Sequence, residues 1–212
     1  MLKLPITVRI PSDDELDYRP DIEEILQKRR HAKIQEGYVL EMNENKRLPF
    51  RFQAAVNIDN PRLWNLLLAL AATLPQKVSC VYGLHEEEAE TTALLQKDFV
   101  LAQLEKYREE LTQECRLEFG LLFQTKDLLL ELSVTESKYI RYWGAELERF
   151  RLLMQSFHLP LVPGLAFVDE YPKIVTPLRD LRPAAKAPET VIHYLDQAFQ
   201  VDRRASDMYY DQ

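Results

Sequence analysis

The amino-acid sequence predicts an α+β fold, in which helices pack on a mainly antiparallel sheet built from two hairpins. The first observation is alternation: apolar residues occupy every second position of residues 48–58, which is typical of a half-buried strand. The second is that apolar stretches with a helical period lie between and after the two predicted hairpins. The third is a change after His158, where half of the chain's 12 prolines lie. Such proline density predicts a C-terminal extension with few regular elements.

The residues before position 60 are predicted to form one helix and one hairpin. A short strand, or an ordered arm, is expected at Ile6–Ile10, where apolar residues alternate. A helix is expected over Pro20–Glu36, because proline suits a first turn and the glycine that follows suits a helix end. Tyr38–Met42 and Leu48–Ile58 are then expected to pair as an antiparallel hairpin across a turn-rich tetrapeptide.

Three elements are predicted between the hairpins. Asn60 and Pro61 are suited to be the N-cap and first residue of a helix that runs to Leu74. Lys77–Tyr82 is predicted to form a third strand, which Gly83 ends. Glu87–Glu114 is predicted to form one long helix because, at about 100° per residue, its apolar side chains share one arc. These side chains are Ala93, Val100, Leu101, Leu104, Tyr107 and Leu111.

The second hairpin is predicted from Arg116–Gln124 and Leu128–Thr135. The leucine-rich runs of both segments alternate little, which favours central strands covered on both faces. Gly144–Phe157 carries an apolar stripe typical of a helix, and Pro188 or Glu189 opens a last short helix.

Length and composition bound the class of protein. A chain of 212 residues, 46% of them hydrophobic, can bury a sizeable core. We expect an α+β domain over residues 1–158, on which the proline-rich extension, residues 159–212, packs. No apolar run approaches about 20 residues, and the N-terminal residues lack the apolar region of a secretory signal. We therefore expect a cytoplasmic protein without membrane contact, in which Cys80 and Cys115 stay reduced.

Negative charge is concentrated in one segment, Glu86–Glu118. This segment has ten acidic and four basic residues, a net charge of −6 in a chain of formal net charge −7. The acidic balance argues against a nonspecific nucleic-acid binder, which needs a basic face. On the predicted long helix several like charges lie four residues apart, an arrangement that costs stability in a purely structural helix. We therefore predict a partner-binding face formed by Asp98, Glu105, Glu109, Glu86 and Glu90. A solvated helix face is the alternative.

Motifs of catalysis and cofactor binding are missing from the sequence. The five glycines are scattered, which excludes a phosphate-binding loop or a dinucleotide fingerprint, and no Gly-x-Ser-x-Gly elbow occurs. None of the four histidines stands in a helical zinc-binding pattern. His85 and the three glutamates after it cannot all converge on a metal, because consecutive helical residues point in different directions. We predict no catalytic residue, no metal site and no cofactor.

Three alternatives stay open for a chemical or binding site. Cys115 is a nucleophile if a distant histidine activates it, whereas free cysteines usually serve in packing. Glu131 and Glu136 flank an apolar strand and form a candidate acid–base pair, unless one simply faces solvent. The rings within Tyr139–Trp143 are suited to stack on a base or a sugar, although large aromatic side chains usually pack inside.

The layout of residues 116–159 resembles that of a known family. Two hydrophobic strands joined by a short turn lead to Ser137-Lys138-Tyr139 and then to a helix that ends Met154-Gln155-Ser156-Phe157-His158-Leu159. This layout is similar to the C-terminal portion of small cytoplasmic bacterial immunity proteins of polymorphic toxin systems. The resemblance covers about a fifth of the chain and transfers no functional residue. It implies a non-enzymatic protein that binds a toxin domain, often through an acidic face.

The sequence as a whole favours a non-catalytic protein that binds another protein. The most concrete version is an immunity-type inhibitor that occludes a basic toxin domain through its acidic face. The alternatives are an enzyme of unrecognised class, such as a carboxylate-based hydrolase, and a structural subunit of an assembly. A deep polar pocket is expected for the enzyme, and a flat acidic face with exposed aromatic side chains for the binder.

Overall fold

The computed structural model, which describes residues 2–12, 15–16, 22–45 and 47–201, has the predicted α+β fold, with helices packed on a mainly antiparallel sheet. The strands are β1 Val8–Arg9, β2 Gly37–Met42, β3 Phe52–Asn57, β4 Lys77–Leu84, β5 Glu90–Thr91, β6 Leu95–Gln96, β7 Leu117–Gln124, β8 Leu129–Val134, β9 Ile140–Gly144 and β10 Ile174–Val175. The helices are α1 Ile22–His31, α2 Asn60–Ala71, α3 Lys97–Glu105, α4 Arg108–Gln113, α5 Leu147–Ser156, α6 Leu178–Leu181 and α7 Pro188–Phe199. Among the described residues, the main sheet has eight strands in the order β2-β3-β9-β8-β7-β4-β5, with β6 also paired to β4, and β1 pairs separately with β10.

Both predicted hairpins are confirmed, and β9 joins them. β2 pairs antiparallel with β3, and β7 pairs antiparallel with β8. β9 lies between β3 and β8, so the two hairpins share one sheet. The apolar side predicted for the second strand is buried from Phe52 to Ile58, although β3 begins at Phe52 rather than at Leu48.

The central strands are covered on one face only, contrary to the prediction from their leucine-rich sequences. In β8, Leu130, Leu132 and Val134 are buried, and the residues between them are partly exposed. β9 alternates in the same way, with Ile140 and Tyr142 buried. The helices pack on the buried face, and the opposite face of these strands stays accessible.

The long helix predicted over Glu87–Glu114 is wrong. Its first part instead forms β5 and β6, which pair with one edge of β4. Its second part is divided into α3 and α4 at Tyr107, which leaves helical geometry with φ −121° and ψ 26°. The edge of β4 offers backbone hydrogen bonds, and the Cys80 N–H also donates to the Thr92 hydroxyl. Pairing with the neighbouring strand thus outweighs the local helical period.

The helical layer closes the core over the buried sheet face. α2 begins at Asn60, but the Asn60 side chain donates to the Thr112 carbonyl and does not cap its own helix. On α5, the Phe150 ring lies 5.3 Å from the Phe52 ring and 5.4 Å from the Tyr142 ring. The fully buried leucines of α2 complete this layer: Leu63, Leu66, Leu67 and Leu70.

Two buried glutamates anchor the proline-rich extension. Glu114 Oε2 accepts a hydrogen bond from the Leu178 N–H at 2.8 Å, and Glu110 Oε1 accepts one from the Lys186 N–H at 2.9 Å. After these anchors α7 packs its apolar face into the main core, through Val191, Ile192, Leu195 and Phe199. Between α5 and α7 the regular elements are short, as the prolines predict.

The N-terminal predictions are met in part. The strand expected over Ile6–Ile10 is reduced to β1, which pairs with β10. The helix expected over Pro20–Glu36 is α1, which ends at His31, while Pro20 itself lies outside the described residues. Within the described ranges, no helix combines the length and the apolar character that crossing a membrane requires.

Both cysteines are buried free thiols. Cys80 lies in β4 opposite Leu121, whereas Cys115 precedes β7 and packs with Val8 and Val168. The two thiols therefore belong to different hydrophobic clusters.

Candidate functional site

The sheet face turned away from α2, α5 and α7 carries a row of polar and aromatic residues. Because side chains alternate between the two faces of a strand, the residues between the buried ones lie on this face. Glu131 of β8 is directly opposite Trp143 of β9, and Trp143 is opposite Gln53 of β3. Gln53 is in turn opposite Glu41 of β2, and its amide donates to the Glu41 carboxylate at 2.6 Å. Four neighbouring strands thus contribute one side chain each to a single row.

Two adjoining depressions open along this row. The first has a volume of about 240 Å³ and the second about 290 Å³, and Arg141 and Trp143 line both. We name the combined surface the sheet groove and define it by Glu41, Gln53, Glu131, Ser133, Arg141 and Trp143.

Small residues form the floor of the sheet groove. Gly120 lies between Val81 and Ser133 on neighbouring strands. A Cβ atom at Gly120 would lie 2.6 Å from the Leu132 carbonyl oxygen, closer than real Cβ atoms approach a backbone atom. Glycine is therefore required for this close pairing, and it also leaves space above the strand.

Glu131 is a partly buried carboxylate in the first depression. Across the part of the chain that the structure describes, no group donates a hydrogen bond to this carboxylate or forms an ion pair with it. Burial raises the pKa of the Glu131 carboxyl, and the nearby charge of Arg141 opposes that rise. Glu131 therefore has acceptor capacity for a donor that a ligand supplies.

Arg141, which lines both depressions, is held by Tyr139. Its Nη2 donates to the Tyr139 hydroxyl at 2.7 Å, and its guanidinium carbon lies 5.5 Å from the Tyr139 ring centroid. The Tyr139 hydroxyl donates to Asp169 Oδ2 at 3.1 Å. Burial raises the pKa of Tyr139 to about 12, so the hydroxyl stays protonated. It can therefore donate to Asp169 while it accepts a hydrogen bond from Arg141. Asp169 thus balances the charge of Arg141 through Tyr139.

The proline-rich extension covers the sheet face at Tyr139. The Phe167 ring lies 4.5 Å from the Tyr139 ring. Val162 and Leu165 join this small cluster, which packs against Val39 and Ala55 on the strands below. The part of the groove around Glu131 and Trp143 remains accessible.

A second polar cluster borders the first depression. Ligand atoms of His85, Glu118 and Glu136 lie within 4.8 Å of one another, a donor set that suits Zn²⁺ or Mn²⁺. However, Lys173 Nζ lies 3.0 Å from Glu136 Oε1. Burial opposes ionisation of Glu136, but the bonds from Lys173 outweigh it and lower the pKa of Glu136 to about 2. The Lys173 ammonium already supplies the positive charge that these carboxylates need. Of the residues that the sequence suggested around His85, Glu86–Glu88 are not part of the cluster.

The predicted partner-binding carboxylates do not form one strip. Asp98 is exposed in the first turn of α3. Glu105 ends α3 and lies 3.6 Å from Arg108, while Glu109 belongs to α4 and lies 3.9 Å from Arg182. Glu105 and Glu109 line one cavity of about 630 Å³, whose wall also includes cationic side chains.

The other two predicted residues lie elsewhere. Glu86 is in a turn after β4 with φ 70°, and Glu90 is in β5 opposite Tyr82. Neither residue lies in a helix, so the repulsion expected between like charges four residues apart on a helix does not arise between Glu86 and Glu90. Glu110 and Glu114 are buried anchors, not surface charges. Contact of Asp98, Glu105, Glu109, Glu86 or Glu90 with a partner stays a prediction.

The remaining candidates from the sequence, the aromatic residues of Tyr139–Trp143 and Cys115, differ in whether they are buried. Tyr139 and Tyr142 are buried, whereas Trp143 is half-buried on the accessible face. The alternation of β9 could have identified Trp143, and it could have identified Arg141, which sequence reasoning missed. Cys115 is buried with its Sγ 3.1 Å from the Thr7 hydroxyl, and burial raises the pKa of its thiol, which opposes a role as nucleophile.

Comparison with known proteins yields no match to this chain among protein-family models, curated proteins or solved structures. The function is therefore inferred from the geometry and chemistry of the site.

Proposed function

We propose that this chain is a non-catalytic protein that binds another protein through the sheet groove. One observation carries the proposal: helices cover one face of the sheet, and the other face leaves Glu131, Arg141 and Trp143 side by side and accessible. Tryptophan and arginine are the residues most enriched in the energetic centres of protein interfaces. The two depressions, of about 240 and 290 Å³, lie at the lower end of the size of small-molecule pockets, and each suits a single side chain of a partner.

An immunity-type inhibitor that occludes a toxin domain is the most concrete version of this proposal. The layout of residues 116–159 supports it, and the net charge of −7 favours association with a basic partner. Ala89, which lines the first depression, directly follows the exposed glutamates Glu86–Glu88. Acidic residues thus adjoin the groove even though they do not form a helical strip. A cytoplasmic location is part of the same proposal, with both thiols free.

A carboxylate-based hydrolase is the second candidate, and one observation favours it. Glu131 and Glu136 line the same depression, and their environments shift their pKa values in opposite directions. Pairs of this kind often supply the acid and the base of a hydrolase. Against this candidate, Glu136 Oε1 already accepts hydrogen bonds from Lys173 and Ser137.

Affinity capture with matched variants tests the proposal. Tagged wild-type protein, Trp143→Ala, Gln53→Lys and the triple variant Asp98→Asn/Glu105→Gln/Glu109→Gln are used to capture proteins from cells that naturally produce this chain. We expect mass spectrometry to identify a basic partner that the wild type and the triple variant retain. Trp143→Ala should lose it through lost contact area, and Gln53→Lys through charge repulsion.

Other outcomes assign the binding differently. If only the triple variant fails to capture the partner, the interface is formed by the carboxylates predicted from the sequence and not by the groove. Retention of the partner by both groove variants at wild-type affinity would refute the proposed binding surface. Turnover of a hydrolase substrate that Glu131→Gln abolishes would favour the second candidate.

A further inference from the structure

We propose that the first depression of the sheet groove recognises an arginine or lysine side chain of the partner protein, which pairs with Glu131 and packs on the indole of Trp143. This inference rests on the proposed function, because it names the chemical group bound at the same surface. It follows from the placement of charge in the groove and from the register of β8 and β9.

The charged groups around the first depression are matched within the protein, with one exception. Glu136 is paired with Lys173, and Glu118 lies 3.1 Å from His85 Nδ1. Arg141 is bonded to Tyr139, which is bonded to Asp169. Glu131 is the exception among the described residues that line this depression: it has neither a hydrogen bond nor an ion pair, and only the charge of Arg141, which is not bonded to it, acts on its carboxylate.

An unmatched, partly buried carboxylate favours a cationic ligand. Its desolvation is costly, and a guanidinium or ammonium group that donates to it would offset that cost with charge-assisted hydrogen bonds. An anionic ligand placed there would be repelled by Glu131, and Nη2 of Arg141, the cation that could attract it, already donates to the Tyr139 hydroxyl.

Trp143 supplies the second half of the recognition. Glu131 and Trp143 are directly opposite on neighbouring strands, so their Cβ atoms are about 5 Å apart. A cation that bonds to the Glu131 carboxylate therefore lies within reach of the indole, whose ring attracts guanidinium and ammonium groups. The small floor at Gly120 and Ser133 leaves room for the stem of the side chain.

A side chain of a protein fits this surface better than a free polyamine does. The first depression continues past Trp143 into the second one, where Gln53 and Glu41 offer an amide and a carboxylate. The flanking backbone of a bound peptide can follow this row, which crosses four strands. A free polyamine would leave those groups unused.

Tryptophan fluorescence tests the assignment on the purified full chain. The chain has two tryptophans, and Trp64 is only 2% exposed. A peptide that binds in the groove should therefore change mainly the emission of Trp143. The probes are capped Gly-Gly-Xaa-Gly-Gly peptides in which Xaa is arginine, lysine or citrulline, the neutral isostere of arginine. We expect the arginine and lysine peptides to change the Trp143 emission at low ionic strength and the citrulline peptide to fail.

Three variants locate the site. Trp143→Phe should remove the fluorescence response. Glu131→Gln, which keeps the shape but not the charge, should weaken binding of the arginine peptide about fivefold. Glu148→Gln removes the same charge from a side chain of α5 that is 79% exposed, and it should leave the affinity unchanged. Far-ultraviolet circular dichroism and urea unfolding of each variant confirm that the fold is retained.

Several results would overturn the assignment. These are equal binding of the citrulline peptide, an unchanged affinity in Glu131→Gln, or a stronger response to spermine than to the arginine peptide. These peptide-binding results are independent of the results of the capture experiment. If Trp143→Ala loses the partner but no cationic peptide binds, the proposed function stands and this inference fails. If the arginine peptide binds but the groove variants keep the partner, the groove fails as the partner-binding surface and this inference fails with it, because the cation site then serves another ligand.

Discussion

Carboxylates of the acidic segment serve two different purposes at the scale of single residues. Glu105 and Glu109 are exposed, and each forms an ion pair on the protein surface, with Arg108 and Arg182 respectively. Glu114 is 1% exposed and accepts hydrogen bonds from the backbone N–H groups of Arg116 and Leu178. A net charge counted along the sequence therefore overstates the charge that a partner meets.

Replacing Glu114 should strongly destabilise the fold. Glu114→Ala leaves two backbone N–H groups without this acceptor, a buried one at Leu178 and a part-buried one at Arg116, and we expect a loss of about 2–4 kcal/mol in the free energy of unfolding. Urea denaturation measures this loss. Glu109→Ala is the control, since its side chain is 58% exposed, and it should change stability by less than about 0.5 kcal/mol. Equal effects of the two substitutions would contradict the anchoring role.

Lys138 is a buried cation whose charge costs stability. Its residue is 3% exposed, and its Nζ donates to the Leu117 carbonyl. Burial lowers the pKa of Lys138 from 10.5 to about 8. Between these two pKa values the unfolded chain binds more protons than the folded one, so the contribution of this group to stability rises with pH.

The comparison of wild type with Lys138→Met should reveal this titration. From pH 7 to pH 9 the free energy of unfolding of the wild type should rise by about 1 kcal/mol relative to that of the variant. Chemical denaturation at closely spaced pH values measures the difference, and the variant cancels the contributions of all other titrating groups. A difference that stays flat or falls over this range would show that Lys138 is not charged and buried as described.

At the scale of elements, α7 belongs to the core although it follows the proline-rich extension. Val191 and Leu195 are fully buried in the same cluster as the sheet residues. The Tyr82 hydroxyl of β4 donates to Asp196 at 2.8 Å, which connects the helix to the strand. α7 therefore completes the hydrophobic layer that α2 and α5 begin.

A matched pair of leucines tests the role of α7. Leu195→Ala should lower the free energy of unfolding by about 2–5 kcal/mol, because it opens a cavity where the side chain is 0% exposed. Leu152→Ala on α5 removes the same atoms from a residue that is 66% exposed, and it should cost less than about 0.5 kcal/mol. Thermal or urea unfolding compares the two. A tolerated Leu195→Ala would mean that α7 contributes little to the core.

At the scale of the whole molecule, the sheet depends on pairings between distant segments. β9 joins β3 although some 80 residues of chain separate the two strands. β1 pairs with β10 near the other end of the described chain. Formation of such non-local pairs requires loop closure, so we expect folding to be slow and global unfolding to be cooperative.

Thiol reactivity measures this cooperativity. Cys80 is 0% exposed and Cys115 is 4% exposed, and they lie in different clusters. In the native state both should resist a thiol reagent, and in denaturant both should react. If opening is global, the reaction rates of the two thiols should rise together as denaturant is added. Both rates should then give the same free energy of opening. Fast reaction of Cys115 alone would indicate local opening around β1, and the absence of reactive thiols after unfolding would contradict the free thiols of the structure.

Much of the fold could be predicted because its signals are local. Alternation located β3, apolar runs on either side of a short turn located the second hairpin, and the helical period located α2, α5 and α7 to within a few residues. The same alternation, read through β9, would have placed Arg141 and Trp143 on one face of a strand. Nothing local, however, shows whether that face is covered.

The sequence by itself determined the α+β class, the two hairpins, most of the helices and the concentration of acid in one segment. Only the tertiary structure decided which sheet face is open, where the segment after β4 turns into strands, and which carboxylates are buried. The reason is physical. Glu114 accepts a hydrogen bond from Leu178, which lies 64 residues away in the sequence. Whether Glu131 has a bonding partner depends on which residues the neighbouring strands place beside it. Those contacts depend on the order of the strands, which no local pattern encodes.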